Sequence, residues 1–399
     1  MDANATTPLL PEVFEAMRPF WMEHFGNASS IHQQGQHARG AVEQARTQVA
    51  RFLHCLNSEI VFTSGGTESD NLALFGILSP ESTEPAHLIT TTIEHHAVLN
   101  AAESLAKRNV GAFSPSVQVT FLPSTSEGLI EPAALKAAIR PNTKLVSIMY
   151  ANNETGVIQP IPELAAIAHA AGALFHTDAV QASGKLPLDL SVGGPLKDVD
   201  LLTLSGHKIY APKGIGVLFV RKNVRLTPML HGGTHERQRR AGTENVACIV
   251  GLGKATELAA TWLTTDAPAK LTALRDRFEQ TLLAQIDDCG INGGGAPRVS
   301  NTSNLYFNHL EAEALVIALD LKGLSVSGGS ACQSGAAEPS HVLTAMGLPP
   351  ARARASIRFS LSRLTTDEEI DEALKIIPTA VARLRELSPS YRKLTEATA

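Results

Sequence analysis

The feature that most constrains the fold is an alternation, from about residue 34, of helical segments with short apolar segments rich in β-forming residues. The segment QGQHARGAVEQARTQVARFL spaces its apolar residues at helical intervals, which predicts one buried face made of Ala38, Val42, Ala45, Val49 and Phe52. The predicted buried strands are EIVFTS, HLITTTI, QVTFLP, KLVSIMY, ALFHTD, LLTLSG and GVLFVR. Helical stretches such as PAALKAAI and IPELAAIAHAAG lie between several of them. The alternation predicts an α/β fold, with a three-layer large domain built on a mainly parallel sheet.

The pattern changes after about residue 257. A long charged helical segment, AKLTALRDRFEQTLLAQI, precedes NTSNLYF, EAEALVIALDLKG, SIRFSLSR and a final predicted helix. These segments predict a smaller α+β domain, and a chain of 399 residues is long enough for two domains. We expect a large domain over residues 14–257 and a small C-terminal domain over residues 258–399, which also includes residues 1–13.

Composition excludes several classes of protein. Hydrophobic residues make up 44% and charged residues 18%, which is typical of a soluble globular protein, and the net charge of −5 argues against general affinity for nucleic acid or anionic membranes. No apolar run approaches the roughly 18 residues of a membrane helix, and the N-terminus resembles no signal peptide. The cysteines (Cys55, Cys248, Cys289 and Cys332) form no C-x-x-C pair. We therefore expect a cytoplasmic protein with free thiols and without structural zinc.

The most basic cluster is HERQRR, from His235 to Arg240. Basic runs most often lie on solvated loops, and we expect the same here.

Ligands collect at the carboxyl ends of strands in open α/β sheets, so the residues that follow each strand are candidates for chemistry. FTSGGTESDNLAL carries a strand into Ser64-Gly65-Gly66-Thr67 and then into a helix. Small residues at a helix start leave backbone N–H groups exposed at the positive end of the dipole, where an anion can bind. Thr67 could instead only cap the helix, with Asp70 three residues later, but the doubled glycine favours a phosphate.

Two other strand ends carry an acid and a lysine. ALFHTD ends in Asp178, with Gln181 three residues later, and LLTLSGHK ends in Lys208. The pair could be only a salt bridge. With an anion site it also matches what pyridoxal phosphate needs: a lysine for the Schiff base, an acid at the ring nitrogen and donors for the phosphate. Lys213 is the competing lysine, and the strand-end position favours Lys208.

Histidines and asparagines follow two further strands. His95 and His96 follow HLITTTI; a lone histidine there is more often structural, but one of the pair could stack on a flat cofactor and transfer protons. Adjacent residues on a strand point to opposite faces, so we expect no metal site. The asparagines of YANNETG either form a turn or contact a substrate.

Cys332 lies in SVSGGSACQSGAAEPSH, where almost no neighbour is bulky enough to pack around a thiol. Glycine and serine on both sides predict an accessible thiol in a mobile segment, as expected of a reactive cysteine. The other three cysteines stand in apolar or helical contexts and are predicted to serve packing.

Ten motifs in order resemble those of the cysteine desulfurases, within the class V aminotransferase-like branch of pyridoxal phosphate enzymes. They cover nearly the whole chain: ANATTPLLPEV, FGNASSIHQQG, FTSGGTESDNLA, IEHHAVL, ANNETGVIQPI, FHTDAVQASGKLP, LSGHKIYAPKGIGVL, RRAGTENV, GSACQSGAAEPSHV and SIRFSLSR. The RRAGTENV form and the long serine-containing cysteine loop are most similar to the nitrogen-fixation type.

The resemblance implies the fold type I of pyridoxal phosphate transferases, a homodimer, and conversion of L-cysteine to L-alanine. The sulfur would pass to Cys332 as a persulfide and then to an iron–sulfur scaffold or another acceptor protein. It also implies a set of roles. Lys208 would bond to pyridoxal 5′-phosphate and move the Cα proton, and His95 would stack on the ring and assist proton transfer. Asp178 would pair with the ring nitrogen and Gln181 with the phenolic oxygen. The phosphate would be held by Gly66, Thr67, Ser205 and His207 together with Thr243 of the partner subunit, and the substrate carboxylate by Asn153 and Arg358. His95 is also a candidate to help deprotonate Cys332.

Three features depart from the family pattern. The chain begins almost on ANATT, so its first strand is expected to be shortened, and Gln333 follows Cys332 where threonine is more usual. The C-terminal SPSYRKLTEATA lacks the histidine-ending tail with which housekeeping relatives dock their scaffold, so the sulfur acceptor stays open, as does a nitrogenase-dedicated, general or tRNA-thiolation role.

Other functions remain alternatives. A selenocysteine lyase or another class V aminotransferase-like enzyme would share the fold, although a plain aminotransferase would have no use for Cys332. A non-catalytic member would act only through its interfaces.

Overall fold

The computed structural model describes residues 1–78, 85–107, 117–328, 339–388 and 391. Cys332 and Gln333 lie outside these residues. The helices are α1 (Pro11–Met17), α2 (Pro19–Met22), α3 (Gln33–Leu53), α4 (Gly66–Ile77), α5 (His96–Lys107), α6 (Pro132–Ala138), α7 (Ile161–Ala170), α8 (Val246–Leu263), α9 (Ala267–Gln285), α10 (Ala312–Asp320), α11 (His341–Ala345), α12 (Pro350–Arg354) and α13 (Asp367–Leu387). The strands are β1 (Ile60–Thr63), β2 (Ala86–Thr91), β3 (Val117–Leu122), β4 (Thr143–Ser147), β5 (Leu174–Asp178), β6 (Leu201–Ser205), β7 (Gly216–Val220), β8 (Cys289–Ile291), β9 (Thr302–Phe307), β10 (Ser327–Gly328) and β11 (Ser356–Ser360).

The large sheet has the order β1-β7-β6-β5-β4-β2-β3, and its strands are those predicted from the seven apolar segments. β3, β2, β4, β5 and β6 pair in parallel, whereas β7 is antiparallel to both β6 and β1. β1 therefore runs in the same direction as β6. The carboxyl ends of all strands except β7 meet at one edge of the sheet, which is the edge where ligands collect in such folds.

Helices cover both faces of the large sheet, as the alternation predicts. Neighbouring strand residues belong to different cores: Val61 and Leu145 pack with α4 and α5, while Phe62 and Val146 pack on the opposite face. The predicted face of α3 is buried in the second of these cores. The mainly parallel three-layer architecture is thereby confirmed.

One helix contradicts the expectation about apolar runs. α8 has 18 residues and is long and apolar enough to cross a membrane by length and composition, and half of it is buried. It packs so closely on α3 that a Cβ at Gly253 would lie 2.8 Å from the Cα of Ala45. The small residues of α8 let the two helices approach each other closely, so its apolar composition serves packing within the fold.

The small sheet, β10-β11-β9-β8, is antiparallel and packs with α9, α10 and α13 around a separate core. The first residues of the chain connect the two sheets, because Asp2 pairs with Ser360 in the small sheet and Thr7 donates its N–H to the carbonyl of His207 beside the large one. α8 continues through the predicted boundary at residue 257, and the domain limits themselves stay a prediction.

The basic cluster is not a plain solvated loop. Glu236 is buried, and both of its carboxylate oxygens accept hydrogen bonds from Arg46, at 2.8 and 2.9 Å. Arg240 pairs with Glu68 at the start of α4, and Arg239 donates to the carbonyl of Ser58. The expectation of a solvated loop is wrong because the acid within the run has a buried partner far away in the sequence.

Candidate active site

A cavity of about 390 Å³ opens at the carboxyl edge of the large sheet. Most of the residues singled out in the sequence line it: Gly66, Thr67, His95, Asn153, Asp178, Gln181, Ser205, His207, Lys208 and Arg358. Thr243 is exposed and does not line this cavity, and Cys332 lies outside the described residues. Residues that follow five different strands therefore meet in one place.

Lys208 lies in a single 3-10 turn directly after β6. Its Nζ donates to the carbonyl oxygens of Asn4, at 2.6 Å, and Ala5, at 2.8 Å. The competing Lys213 is exposed and does not line the cavity. The strand-end position thus brings Lys208, and not Lys213, to the site.

Asp178 ends β5, the parallel neighbour of β6, and is buried. Its Oδ1 accepts the N–H of Val180 at 2.9 Å. Burial raises the pKa of Asp178 to about 6, although the Val180 N–H and the charge of Lys208 lower it. A carboxyl with this pKa is mainly ionised at neutral pH, and the charge of Lys208 acts on it.

A second carboxyl, Asp70 of α4, also lines the cavity. Its Oδ1 is buried without a hydrogen-bond partner and lies 3.7 Å from Nε2 of His176. Burial, and secondly the charge of Asp178, raises the pKa of Asp70 well above its usual range. In the sequence Asp70 stood out only as a capping residue, since helical spacing does not reveal which side chain faces a ligand.

The candidate anion site is the start of α4. The helix begins at Gly66, and its N-cap residue, Gly65, has no side chain to cap it, so capping by Thr67 is wrong. A Cβ on Gly66 would lie 3.1 Å from Val180 Cγ2 and 3.5 Å from Cβ of Ser205. Glycine therefore keeps the backbone of the first turn open toward the cavity, where its N–H groups have no intrahelical acceptor.

His95 and His96 follow β2, as predicted, but they lie at the start of α5 and not on the strand that the metal argument assumed. His95 precedes the helix, and its Nδ1 accepts the N–H of Ala97 at 3.1 Å. The ring of His96 lies 4.4 Å from that of His341, whose Nε2 hydrogen-bonds to the carbonyl oxygen of Glu94 at 2.9 Å. Burial lowers the pKa of His95 to about 4, helped by Lys208, His96 and His341.

The described residues contain no group of three metal-ligating side chains. The argument from strand geometry does not apply to His95 and His96. The prediction that they bind no metal therefore no longer rests on that argument.

The two asparagines of YANNETG differ: one forms a turn, and the other faces the cavity where a substrate could bind. Asn152 forms a turn, because its Oδ1 accepts the N–H groups of Glu154 and Thr155. Oδ1 of Asn153 is buried without a partner and lines the cavity. Arg358 of β11 donates to the carbonyl of Asn153 and to Asp2, while its Nε has no hydrogen-bond partner among the described residues. Both side chains keep unused polar atoms at the site.

Several cavity residues were missed in the sequence, among them Asn4, Glu154 and His341. Glu154 is buried and accepts a short hydrogen bond from Ser340, and burial raises its pKa to about 7. The ANATT and ANNETG motifs contain two of these residues, but no local pattern indicated which side chain would face the cavity.

The three described cysteines fit a packing role. Cys55, Cys248 and Cys289 are free and half-buried. Burial raises the pKa of each thiol, that of Cys55 to about 12, so none of them forms a thiolate readily.

Comparison with known proteins agrees with this geometry. Residues 1–373 match the family "Aminotransferase class-V". The chain is 50% identical over 389 residues to a cysteine desulfurase of Nostoc sp. (strain PCC 7120), covering 98% of this chain and 94% of that protein. It is 46% identical over 398 residues to the cysteine desulfurase IscS of Methanosarcina thermophila, covering 99% and 95%.

Solved structures show the same fold. A NifS-like protein aligns with a TM-score of 0.86 at 35% identity, over 96% of this chain and 99% of that one. A structure of SspA in complex with cysteine aligns with a TM-score of 0.78 at 36% identity, over 92% and 99%. Fold, sequence and cavity agree over nearly the full length, and the chain belongs to the aminotransferase class-V family and, within it, to the cysteine desulfurases.

Proposed function

We propose that this desulfurase holds pyridoxal 5′-phosphate in the cavity, passes the sulfur of L-cysteine to Cys332 as a persulfide, and works as a cytoplasmic homodimer. The observation that carries the proposal is the placement of Lys208 and Asp178 at adjacent strand ends, beside the open helix start at Gly66. Overall, L-cysteine and the thiol of Cys332 become L-alanine and a persulfide, so no outside oxidant or reductant is needed.

The residues present fit pyridoxal phosphate. The class-V family implies this cofactor, whose aldehyde, ring nitrogen and phosphate need an amine, an acid and several N–H or O–H donors. Lys208 supplies the amine and Asp178 the acid. The first turn of α4, with Ser205 and His207, supplies donors for an anion. The buried polar atoms without partners, on Asp70, Asn153 and Arg358, are typical of a site that a polar ligand completes.

When bound, the cofactor supplies an electron-withdrawing ring that makes the sulfur of the attached amino acid open to attack. The chain does the rest. Nζ of Lys208 would take the Cα proton, and the Asp178 carboxylate, with a pKa of about 6, would keep a proton on the ring nitrogen. Gln181 would hold the phenolic oxygen and His95 would stack on the ring, while Arg358 and Asn153 would bind the substrate carboxylate.

A homodimer would complete the phosphate site with Thr243 of the second copy. Support comes from the exposed position of Thr243 and from large apolar side chains exposed near the N-terminus: Trp21, Met22, Phe25 and Ile31. Exposed apolar surface of this kind often marks an interface. Light scattering of the purified protein tests the dimer, and Trp21→Asp with Phe25→Asp should shift it toward the monomer.

The central experiment follows alanine and colour together. The protein purified with pyridoxal phosphate should be yellow and release alanine from L-cysteine. Lys208→Ala should lose the visible band and lower kcat by ~10³-fold or more, while the exposed control Lys213→Ala keeps both. Cys332→Ala should keep the colour but form no persulfide, with Cys248→Ala as its control. A colourless wild-type protein, or full activity in Cys332→Ala, would overturn the proposal.

The persulfide would serve iron–sulfur cluster assembly or another thiolation pathway. Incubating the ³⁵S-labelled persulfide enzyme with cytosolic extract should label an acceptor protein, and comparing L-cysteine with L-selenocysteine as substrates tests the preference for sulfur. Label that remains on Cys332 in the presence of purified scaffold proteins would contradict a role in cluster assembly.

A further inference from the structure

The reaction proposed above needs a base for a thiol. A thiolate and not a thiol attacks sulfur, and a free cysteine, with a pKa of about 8.5, is only a few per cent ionised at neutral pH. The inference below rests on the proposed function and identifies the residue that removes this proton.

His95 is poorly suited to be the base. Its Nδ1 already accepts the backbone N–H of Ala97, so the lone pair is used and the neutral ring carries its proton on Nε2. A second proton would have to enter at Nδ1, where it would face the Ala97 N–H and break that hydrogen bond. The ring can therefore donate from Nε2 but resists accepting. Independently, burial and then Lys208, His96 and His341 lower its pKa to about 4.

His341 has the opposite arrangement. Its Nε2 faces the carbonyl oxygen of Glu94 at 2.9 Å, and a carbonyl can only accept, so Nε2 carries the proton. The lone pair of the neutral ring is then on Nδ1, which forms no hydrogen bond with any of the described residues. His341 lines the cavity with His95 and His96.

The surroundings keep His341 neutral and oriented. Burial lowers its pKa, as does His96, while the hydrogen bond to Glu94 raises it. The preceding residue, Ser340, is fixed by Glu154 and caps α11. The titratable groups that interact with the ring are His95 and His96 at the start of α5. Two more belong to the residues that hold His341 in place: Glu94, whose pKa is raised to about 8 by burial, and Glu154, which is hydrogen-bonded to Ser340.

The geometry points to His341 as the catalytic base of this cavity, accepting the proton of a reacting thiol on Nδ1 while His95 acts as a donor. The thiol S–H bond breaks, its proton moves to Nδ1 and its electron pair stays on sulfur as the thiolate. The histidine is reset when that proton is passed on to the alanine that forms. The thiol is that of Cys332 before it attacks, or that of L-cysteine as it binds, and each carries one S–H proton that Nδ1 can accept.

The test compares His341→Gln with Ser340→Ala in the holoenzyme. The glutamine amide can still donate to the Glu94 carbonyl but cannot act as a base. Ser340→Ala removes the hydrogen bond to Glu154 and the cap of α11 but keeps the imidazole. Single-turnover alanine formation at saturating L-cysteine should fall about 10²-fold in His341→Gln at pH 7. The defect should shrink below about tenfold near pH 9.5, where a thiol ionises unaided. In Ser340→Ala, which keeps the base, any defect should not shrink in this way between pH 8 and about pH 9.5, a range that lies above the pKa of Glu154 of about 7.

Two further measurements identify the thiol. If His341 serves Cys332, alkylation of Cys332 by iodoacetamide without substrate, followed by peptide mass spectrometry, should slow about tenfold at pH 7 in His341→Gln. If it serves the substrate, alkylation is unchanged. The pH dependence of the L-cysteine-induced absorbance change, measured in Cys332→Ala, should then move upward when His341→Gln is added.

Each negative result has a distinct meaning. Wild-type holoenzyme that forms no alanine overturns the proposed function. Active wild type with a pH-independent defect in His341→Gln, or with no defect, overturns the role of His341, as does a pH-dependent defect found in His96→Gln instead.

Discussion

Two regions of the molecule bury ionisable groups, and they treat them differently. Beneath the 235–240 segment, Arg46 and Glu236 are each 4% exposed, and both carboxylate oxygens of Glu236 are hydrogen-bonded to Arg46. One of these oxygens also accepts the N–H of Phe62. In the cavity, by contrast, two carboxyl groups, Asp70 and Asp178, are buried close enough to raise the pKa of Asp70, and Oδ1 of Asp70 has no hydrogen-bond partner.

The difference separates structural from functional burial of charge. A buried pair is tolerated when its hydrogen bonds are complete, because the partner replaces the water that each ion has lost. Buried ionisable groups that lack some of their hydrogen bonds lower the stability of the fold, and they are retained where a ligand or a reaction uses them. Substitutions in the first region should therefore affect folding, and substitutions in the second should affect catalysis.

The largest expected effect is on folding. Glu236→Gln leaves the Arg46 guanidinium buried with only Glu43 as a charged partner, on the half-exposed side of α3. The free energy of unfolding of the Glu236→Gln variant, measured by urea denaturation, should be about 3–5 kcal/mol lower than that of the wild type. kcat per folded holoenzyme should not change, because Glu236 does not line the cavity.

The matched control is Arg277→Ala, which breaks an exposed pair with Asp367 and Asp371. It should cost less than ~1 kcal/mol, because water screens exposed ions. Equal losses in the two variants would remove the distinction between complete buried pairs and ordinary surface pairs.

The next effect is on catalysis. Asp178→Asn keeps the size of the side chain but removes the negative charge that faces the cavity. kcat should fall about 10²–10³-fold, as when other preorganised electrostatic groups are removed. The free energy of unfolding of the apoprotein at pH 7 should be equal or higher, because a buried charge has been removed. A destabilised protein with nearly normal kcat would place Asp178 with the structural pairs.

The sequence predicts the cavity better than it predicts the buried pair. Fully buried parallel strands are short apolar runs, so the positions that follow them, such as Asp178 and Lys208, can be found from local pattern and then placed at one edge by topology. Arg46 and Glu236 are separated by 190 positions, and a basic cluster gives no sign that one of its acids will be buried against a distant helix.

The same physical limit explains which site residues were missed. Asn4, Glu154 and His341 reach the cavity from the N-terminal segment, a turn and a helix start, and their positions depend on how the small sheet and the first residues pack against the large sheet. The position of His95 and His96 after a strand was predicted, but the strand geometry assumed for them was wrong for a local reason: β2 ends at Thr91, and three residues intervene before His95. Nothing in the alternation marks where a buried strand gives way to a turn.

Glu94 provides a pH test of the cavity. Burial raises its pKa to about 8, although the N–H of Met149 and the hydroxyl of Thr91 lower it. Between the ordinary carboxyl pKa and about pH 8, the folded protein holds a proton that the unfolded chain has lost. Its contribution to the free energy of unfolding therefore decreases as pH rises, by up to ~1.4 kcal/mol per pH unit.

Glu94→Gln should remove this contribution, so urea denaturation between pH 5 and pH 8 should give a flatter dependence on pH than in the wild type. Glu163→Gln, on the exposed face of α7, is the control and should leave the slope unchanged. A Glu94→Gln protein with the wild-type slope would mean that Glu94 is already ionised in the folded state, and so belongs with the paired groups.

The smallest effect should come from Asp70→Asn, and it decides which of the two adjacent carboxyls carries the charge. Burial and the charge of Asp178 both raise the pKa of Asp70, so Asp70 should be protonated at pH 7 and an asparagine should mimic it. kcat should change less than about threefold, equivalent to ~0.7 kcal/mol, whereas Asp178→Asn is strongly impaired. Steady-state kinetics of both variants at pH 7 make the comparison. If Asp70→Asn were the impaired variant, the charge would be on α4 and not at the end of β5, and Asp178 would be the carboxyl that keeps a proton.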